Sequence, residues 1–308
     1  MKKIAFLFAG QGAQTVGMGK DLYETFPVAK AVFDSASPVF PEAKKICFEG
    51  DGDTLTKTEN TQPCLFLTDL AIAKTLQSAG VEPSAVAGFS LGEIPAAAFS
   101  GVMTEEEAFR FVLLRGKTMA EQSALHPGAM AAALKLDEET VNEVCSRFPE
   151  IWAVNYNCPG QISCAGNAAQ IDDFCAAIKA AGGRAVKLPV SGAFHTPYMN
   201  EVSPVLREFL EREGVSAPKI PFYANRTASV YPAEKEGIVE NLSEQVCHPV
   251  LWEKTLKAMK DDGIEVFIEV GAGSTLTKFV SRTLEGVTAC AVNDVASFEA
   301  AVQTVKGE

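Results

Sequence analysis

Short apolar runs alternate with longer, helically periodic stretches along most of this chain. Ile4 to Phe8, Ala85 to Phe89 and Glu265 to Val270 read as strands buried in a sheet. Apolar positions recur at helical spacing over Thr61 to Gln77, Thr104 to Gln122, Tyr198 to Glu211, Trp252 to Lys260 and Thr275 to Leu284. Thr104 and Glu107 form a capping-box pattern at the start of the second helix. This alternation predicts an α/β fold with a mainly parallel sheet.

The middle follows another order. Pro127-Gly128 opens a block of strand (Ala129 to Leu134), helix (Glu138 to Cys145), strand (Ile151 to Asn155), strand (Gln161 to Ala165), helix (Ala168 to Ala181) and strand (Arg184 to Leu188). Gly182-Gly183 suits the end of its second helix, and Pro189 closes the block. The order βαββαβ is that of a ferredoxin-like unit. We therefore expect a small ferredoxin-like domain at 127–189 inserted into a larger α/β domain at 1–126 and 190–308. A ligand cleft is expected between them.

The most chemically informative segment is Gly88-Phe89-Ser90-Leu91-Gly92-Glu93, between an apolar strand and the apolar stretch Ile94 to Phe99. A Ser flanked two residues each way by Gly on a strand-to-helix turn is the nucleophile-elbow pattern. The turn pushes the hydroxyl out of the sheet, and the following helix start aims N–H groups at an oxyanion. A bland Gly-Ser-Gly turn is the competing reading.

Composition narrows the setting. The chain has 308 residues, 47% hydrophobic and 21% charged, with a net charge of −12. That charge argues against nucleic acid or an anionic membrane as a general partner, and no apolar run is long enough to cross a bilayer. Met1-Lys2-Lys3 before Ile4 to Phe8 imitates a signal peptide, but a Gly-rich loop follows at once, so a buried first strand is expected. The eight Cys form no CxxC pair, which suits reduced core thiols in a cytoplasmic protein without a metal site.

A serine nucleophile needs a base, and the chain offers only His126, His195 and His248. His126 and His248 each precede a Pro in apparent loops. His195, in Val190-Ser191-Gly192-Ala193-Phe194-His195-Thr196-Pro197, lies where the chain returns from the insert. No obvious acid completes a hydrolase triad, so either a carboxylate comes from elsewhere or something neutral orients His195. Arg115 falls on the apolar side of its helix, with Ala108, Phe111, Val112 and Met119. A guanidinium there must find an anion. Either it pairs with a buried Asp or Glu, or it grips a substrate carboxylate. The Gly10 to Lys20 loop fails the phosphate-loop and dinucleotide patterns, and Gly271-Ala272-Gly273-Ser274-Thr275 lacks the Lys-Ser/Thr ending. A Gly-rich turn whose N–H groups face Ser90 fits the first loop better.

Together these motifs resemble the malonyl-CoA:acyl carrier protein transacylases and the related acyltransferases of polyketide synthases. The resemblance runs nearly end to end, through Phe8-Ala9-Gly10-Gln11-Gly12, Gly88 to Glu93, Arg115-Gly116-Lys117, Asn155 to Gln161, Gly192 to His195, Gln245 to Trp252 and Glu269-Val270-Gly271. It implies a hydrolase-like large domain with a ferredoxin-like insert. It implies ping-pong malonyl transfer from malonyl-CoA to the phosphopantetheine thiol of acyl carrier protein, for fatty-acid synthesis, with no cofactor. Ser90 would be the nucleophile and His195 the base, oriented by a main-chain carbonyl near Gln245. The N–H groups of Gln11 and Leu91 would form the oxyanion hole, Arg115 would bind the malonyl carboxylate, and Asn157 would line the cleft. Phe194 would restrict room for an α-methyl branch. Carrier proteins are strongly acidic, so docking would need a local basic patch; Arg184, Lys187, Lys278 and Arg282 are candidates, against scattered solubilising charges. Two departures stand out: Phe89 replaces a usual His, and Ile94 a frequent aromatic. Rival readings are a stand-alone polyketide acyltransferase, a serine esterase or thioesterase, a nucleotide-binding module and an inactive scaffold. Hydrolysis would leave Arg115 unexplained.

Overall fold

The centre of the larger sheet is β1 (Lys3–Phe8), buried at every residue after Lys3. It pairs in parallel with β2 (Ala85–Gly88) on one side and β8 (Ile264–Val270) on the other. The edges are β7 (Phe222–Tyr223) and β9 (Thr288–Val292), giving the all-parallel order β7-β2-β1-β8-β9. The structure, a computed structural model, describes residues 2–190 and 192–306; Met1, Ser191, Gly307 and Glu308 lie outside the described residues. Helices cover both faces, as a parallel sheet demands. The helix Thr58–Ser78 is buried from Thr61 to Ala73 and packs against the helix Glu105–Leu125. The second of these starts on the expected capping box, with Thr104 and Glu107 bonded reciprocally.

The second sheet holds β3 (Gly128–Leu134), β4 (Ile151–Cys158), β5 (Gln161–Asn167) and β6 (Arg184–Lys187) in the antiparallel order β4-β5-β3-β6. Its helices, Glu138–Cys145 and Ile171–Ala180, enclose a separate core of Val141, Val144, Phe174 and Ile178 against Ala131 and Cys164. Met130, Val154 and Ala165 of the same strands belong to the main core instead. The outgoing and returning chains run side by side, so close that a Cβ on Gly128 would lie 2.4 Å from the Ala193 nitrogen. Val250 bridges the two sheets' surroundings: its N–H donates to the Val154 carbonyl (2.8 Å), and its carbonyl accepts from Tyr156 (3.0 Å).

One boundary moves substantially. The helix expected from Tyr198 begins at Val202, because Pro197 opens a 3₁₀ turn that the Thr196 hydroxyl caps. The eight cysteines are free thiols. Among the described residues, no helix is long and apolar enough to cross a membrane.

Candidate active site

The chain leaves β2 at Gly88 and turns at once through Ser90–Gly92 into the helix Glu93–Phe99. Neither glycine can carry a side chain: a Cβ on Gly88 would sit 1.9 Å from the Gly92 carbonyl carbon, and one on Gly92 2.2 Å from the Phe8 oxygen. Ser90, at the apex, is held at φ 52° in the left-handed region that a side chain disfavours. Both of its backbone groups are clamped. Its N–H donates to Asn225 Oδ1 at 2.7 Å, and its carbonyl accepts from Gln245 Nε2 at 2.6 Å.

Ser90 Oγ lies 2.7 Å from His195 Nε2. On the far side of the ring, Nδ1 faces the main-chain carbonyls of Gln245 (2.9 Å) and His248 (3.1 Å). Carbonyl oxygens only accept, so Nδ1 carries the proton and Nε2 is left as the acceptor for the serine hydroxyl. Two neutral dipoles thus stand where a hydrolase triad has an acid. Burial, reinforced by the positive Arg115, pushes the His195 pKa down to about 4. The imidazole is therefore neutral across the physiological range.

Arg115 is 1% exposed. Its Nη1 donates to Gln62 Oε1 (2.6 Å) and its Nη2 to Gln245 Oε1 (2.9 Å), while Nε has no partner. Among the described residues no carboxylate lies within salt-bridge distance of it, so the structural ion pair is absent. Burial lowers its pKa to about 10, partly offset by Glu93, and it remains charged at neutral pH.

Ser90, His195, Arg115, Gln11, Asn157 and Phe194 all line one cavity of about 490 Å³ between the two sheets. Gln11 belongs to the Gly-rich loop after β1 and reaches Thr58 Oγ1 through its side chain (3.0 Å), leaving its N–H without an acceptor among the described residues. Leu91 is fully buried and is not among the residues lining this cavity; its N–H has no acceptor among the described residues. Asn157, on β4, donates to Ser163 (3.2 Å) and keeps its Oδ1 unpartnered, as does neighbouring Asn155. Gln245 stands behind the cavity and touches Ser90, His195 and Arg115 at once.

At the mouth, Arg282 Nη1 donates to Gln161 Oε1 (2.8 Å), and Lys278 is exposed one turn earlier on the helix Thr275–Thr283. Arg184 lies two strands across from Gln161 in register, through Leu134. Lys187 is paired with Asp172.

A polar layer beneath the site leaves little trace in the sequence. Glu93, 1% exposed, accepts from the Asn225 N–H and the Tyr231 hydroxyl, both at 2.9 Å, and from Gln245 Nε2. Burial raises its pKa to about 7 despite these donors and Arg115. Its signal was present: a lone carboxylate opening the apolar run Ile94 to Phe99. Asn225 and Gln62 carry no local signal, because their partners are distant in the chain. Near the end of β8, buried Glu269 accepts from the N–H groups of Leu276 (3.0 Å) and Thr277 (2.7 Å) and anchors the helix Thr275–Thr283.

A hydroxyl bonded to a neutral imidazole at the edge of a cavity can carry an acyl group as an ester and pass it on. That chemistry, on this parallel sheet, defines the class: an acyltransferase. The acyl transferase domain family matches residues 5–303. The malonyl CoA-acyl carrier protein transacylase of Bacillus subtilis is 37% identical, over 100% of this chain and 99% of that protein. A malonyl CoA-acyl carrier protein transacylase from Clostridium perfringens superposes with a TM-score of 0.94 at 35% identity, covering 99% of this chain and 98% of that one. A malonyl-transacylase solved in complex with its type II polyketide acyl-carrier protein gives 0.94 at 34%, over 98% and 99%. The chain belongs to the malonyl CoA-acyl carrier protein transacylase branch of the acyl transferase family.

Proposed function

We propose that the chain moves a malonyl group from malonyl-CoA to the phosphopantetheine thiol of acyl carrier protein through an ester on Ser90, for fatty-acid synthesis. His195 Nε2 takes the Ser90 proton as Oγ attacks the thioester carbonyl. The N–H groups of Gln11 and Leu91 receive the oxyanion; losing one such donor typically costs about 10²–10³-fold in rate. The C–S bond breaks, and the CoA sulfur leaves with the proton from His195. The carrier thiol then attacks the ester with His195 as base again, and Ser90 recovers its proton. Phe194 limits room beside the α-carbon, and Asn157 lines the path of the thioester arm. No cofactor takes part. The large domain, residues 1–126 and 190–308, is hydrolase-like in this reading, residues 127–189 are a ferredoxin-like insert, and the enzyme works in the cytoplasm.

The observation that carries the malonyl assignment is Arg115: a buried guanidinium beside Ser90's cavity, held by two neutral amides and paired with no carboxylate among the described residues. The free carboxylate of a malonyl group is the missing anion. Acetyl would leave the cation unpaired, a penalty on the order of 2–5 kcal/mol. A simple esterase has no use for such a group. Arg115→Ala should lower kcat/KM for malonyl-CoA by roughly 10²–10³-fold while sparing or raising acetyl transfer. Equal losses for both acyl groups would remove the carboxylate role.

A further inference from the structure

Ser90 and Arg115 share a support that neither the elbow pattern nor the acyl chemistry requires. Glu93 Oε1 accepts from the Asn225 N–H and from the Tyr231 hydroxyl; its Oε2 accepts from Gln245 Nε2. Asn225 in turn accepts from the Ser90 N–H and donates through Nδ2 to the Gly88 carbonyl (2.6 Å). Gln245 donates to the Ser90 carbonyl and turns its Oε1 to Arg115.

Three contacts set the polarity of this chain of bonds together: the Ser90 carbonyl and the Glu93 carboxylate take the NH₂ of Gln245, and Arg115 donates to its oxygen. An ionised carboxylate can only accept, so it draws the NH₂ end of Gln245 toward itself. The oxygen end is then fixed toward Arg115. That gives the guanidinium a neutral acceptor, which orients it without cancelling its charge. A reversed Gln245 would turn donors on Arg115 and an oxygen on the Ser90 carbonyl, losing both bonds.

We infer that Glu93 is a positioning residue for acyl selection: by fixing the direction of the Gln245 amide, it aims Arg115 at the substrate carboxylate. The inference rests on the reading that Arg115 grips the malonyl group. Glu93 touches neither substrate nor the reacting atoms; it acts through its bonds to Gln245 and Asn225 and through its negative charge near Arg115.

The isosteric change Glu93→Gln tests it. The Asn225 main-chain N–H cannot be reversed, so it holds the oxygen of the new amide at the Oε1 position. The NH₂ then confronts Gln245 Nε2, donor against donor, and Gln245 must turn or withdraw. Malonyl kcat/KM should fall by roughly 10–100-fold. Acetyl kcat/KM should fall much less, so the malonyl-to-acetyl ratio collapses. Tyr231→Phe removes a bond to Glu93 without adding a donor, and the ratio should survive it. A role confined to stability would lower both acyl groups together, in step with the melting temperature, and leave the ratio intact; that result overturns the inference. So would a Tyr231→Phe collapse equal to that of Glu93→Gln.

The wild-type enzyme supplies a readout that needs no variant. The ionisable groups around Glu93 are Arg115, from the helix Glu105–Leu125, and Tyr231, from the segment after β7; His195 lies beyond the Gln245 carbonyl. Burial raises the Glu93 pKa to about 7, and a protonated carboxyl presents a donor to Gln245. The malonyl-to-acetyl ratio should therefore drop as the pH falls through neutrality, and a flat ratio would contradict the inference. Arg115→Ala separates the two ideas. A ratio unchanged in Arg115→Ala sinks the carboxylate reading itself. A ratio lost in Arg115→Ala but kept in Glu93→Gln sinks only the role of Glu93.

Discussion

His195 is built to be neutral. Burial and the Arg115 charge depress its pKa to about 4, and two carbonyls fix the tautomer. Inactivation of Ser90 by an uncharged sulfonyl fluoride avoids the carboxylate site and so reports this base alone. Its rate should stay level through the mildly acidic range and fall by half near pH 4, rather than near the ordinary histidine value of about 6.5. The same shift is linked to stability. The unfolded chain takes up the proton near 6.5 and the folded one only near 4, so the contribution is full above 6.5 and is lost as pH falls from 6.5 to 4. Phe89 finds its explanation at this scale too. Its ring packs edge-on against Trp252 (5.4 Å between centroids) and tilted against Phe279 (6.1 Å). Where the resemblance leads one to expect His, the position is an aromatic wall of the cavity, and the base 2.7 Å from Ser90 Oγ is supplied independently by His195.

At the scale of elements, the elbow depends on empty space at Gly88 and Gly92. Gly92→Ala would force a Cβ to 2.2 Å from the Phe8 oxygen, whereas a Cβ on Gly52 meets nothing within 4 Å. Gly92→Ala should destabilise by about 1–3 kcal/mol, seen as a lower urea midpoint, and displace Ser90 with heavy loss of activity. Gly52→Ala should leave both nearly unchanged, and equal effects would refute the steric account. The elbow was legible because its constraint is local: strand, glycine, serine, glycine and helix follow each other directly. The long elements were legible for a similar reason, since β1, β8 and the helix Glu105–Leu125 carry many periodic or apolar positions. The rest was not. β7 has two residues, and β9 has five that are mostly half-buried, so neither shows a strong apolar run. The short helices Lys20–Thr25, Pro27–Ser35, Ala43–Glu49 and Gly52–Thr56 take their stability from packing more than from their own pattern. For the site, Ser90, His195 and Arg115 could be read from residue type and position. The clamp by Asn225 and the support from Gln62 could not, because they join residues 135 and 53 positions apart.

The whole molecule sets two sheets around one cavity and carries a net charge of −12. Under the proposed function, an acidic carrier protein would approach over a local basic surface. Arg282 bonds Gln161 of the cavity lining and Lys278 is exposed one turn earlier on the same helix, while Lys187 is paired with Asp172. Reversing Arg282 and Lys278 to Glu should raise the KM for carrier protein roughly three- to tenfold, and Lys187→Glu should do less, with the KM for malonyl-CoA unmoved. No change for the carrier would place its docking elsewhere. In the proposed reading all of these features serve one covalent event, the parking of a malonyl group on Ser90 between two thiols. Intact-protein mass spectrometry after mixing with malonyl-CoA, without carrier, reads that event directly. The wild type should gain one malonyl group, discharged on adding the carrier, and Ser90→Ala should gain none. A malonyl adduct that persists in Ser90→Ala would contradict the account.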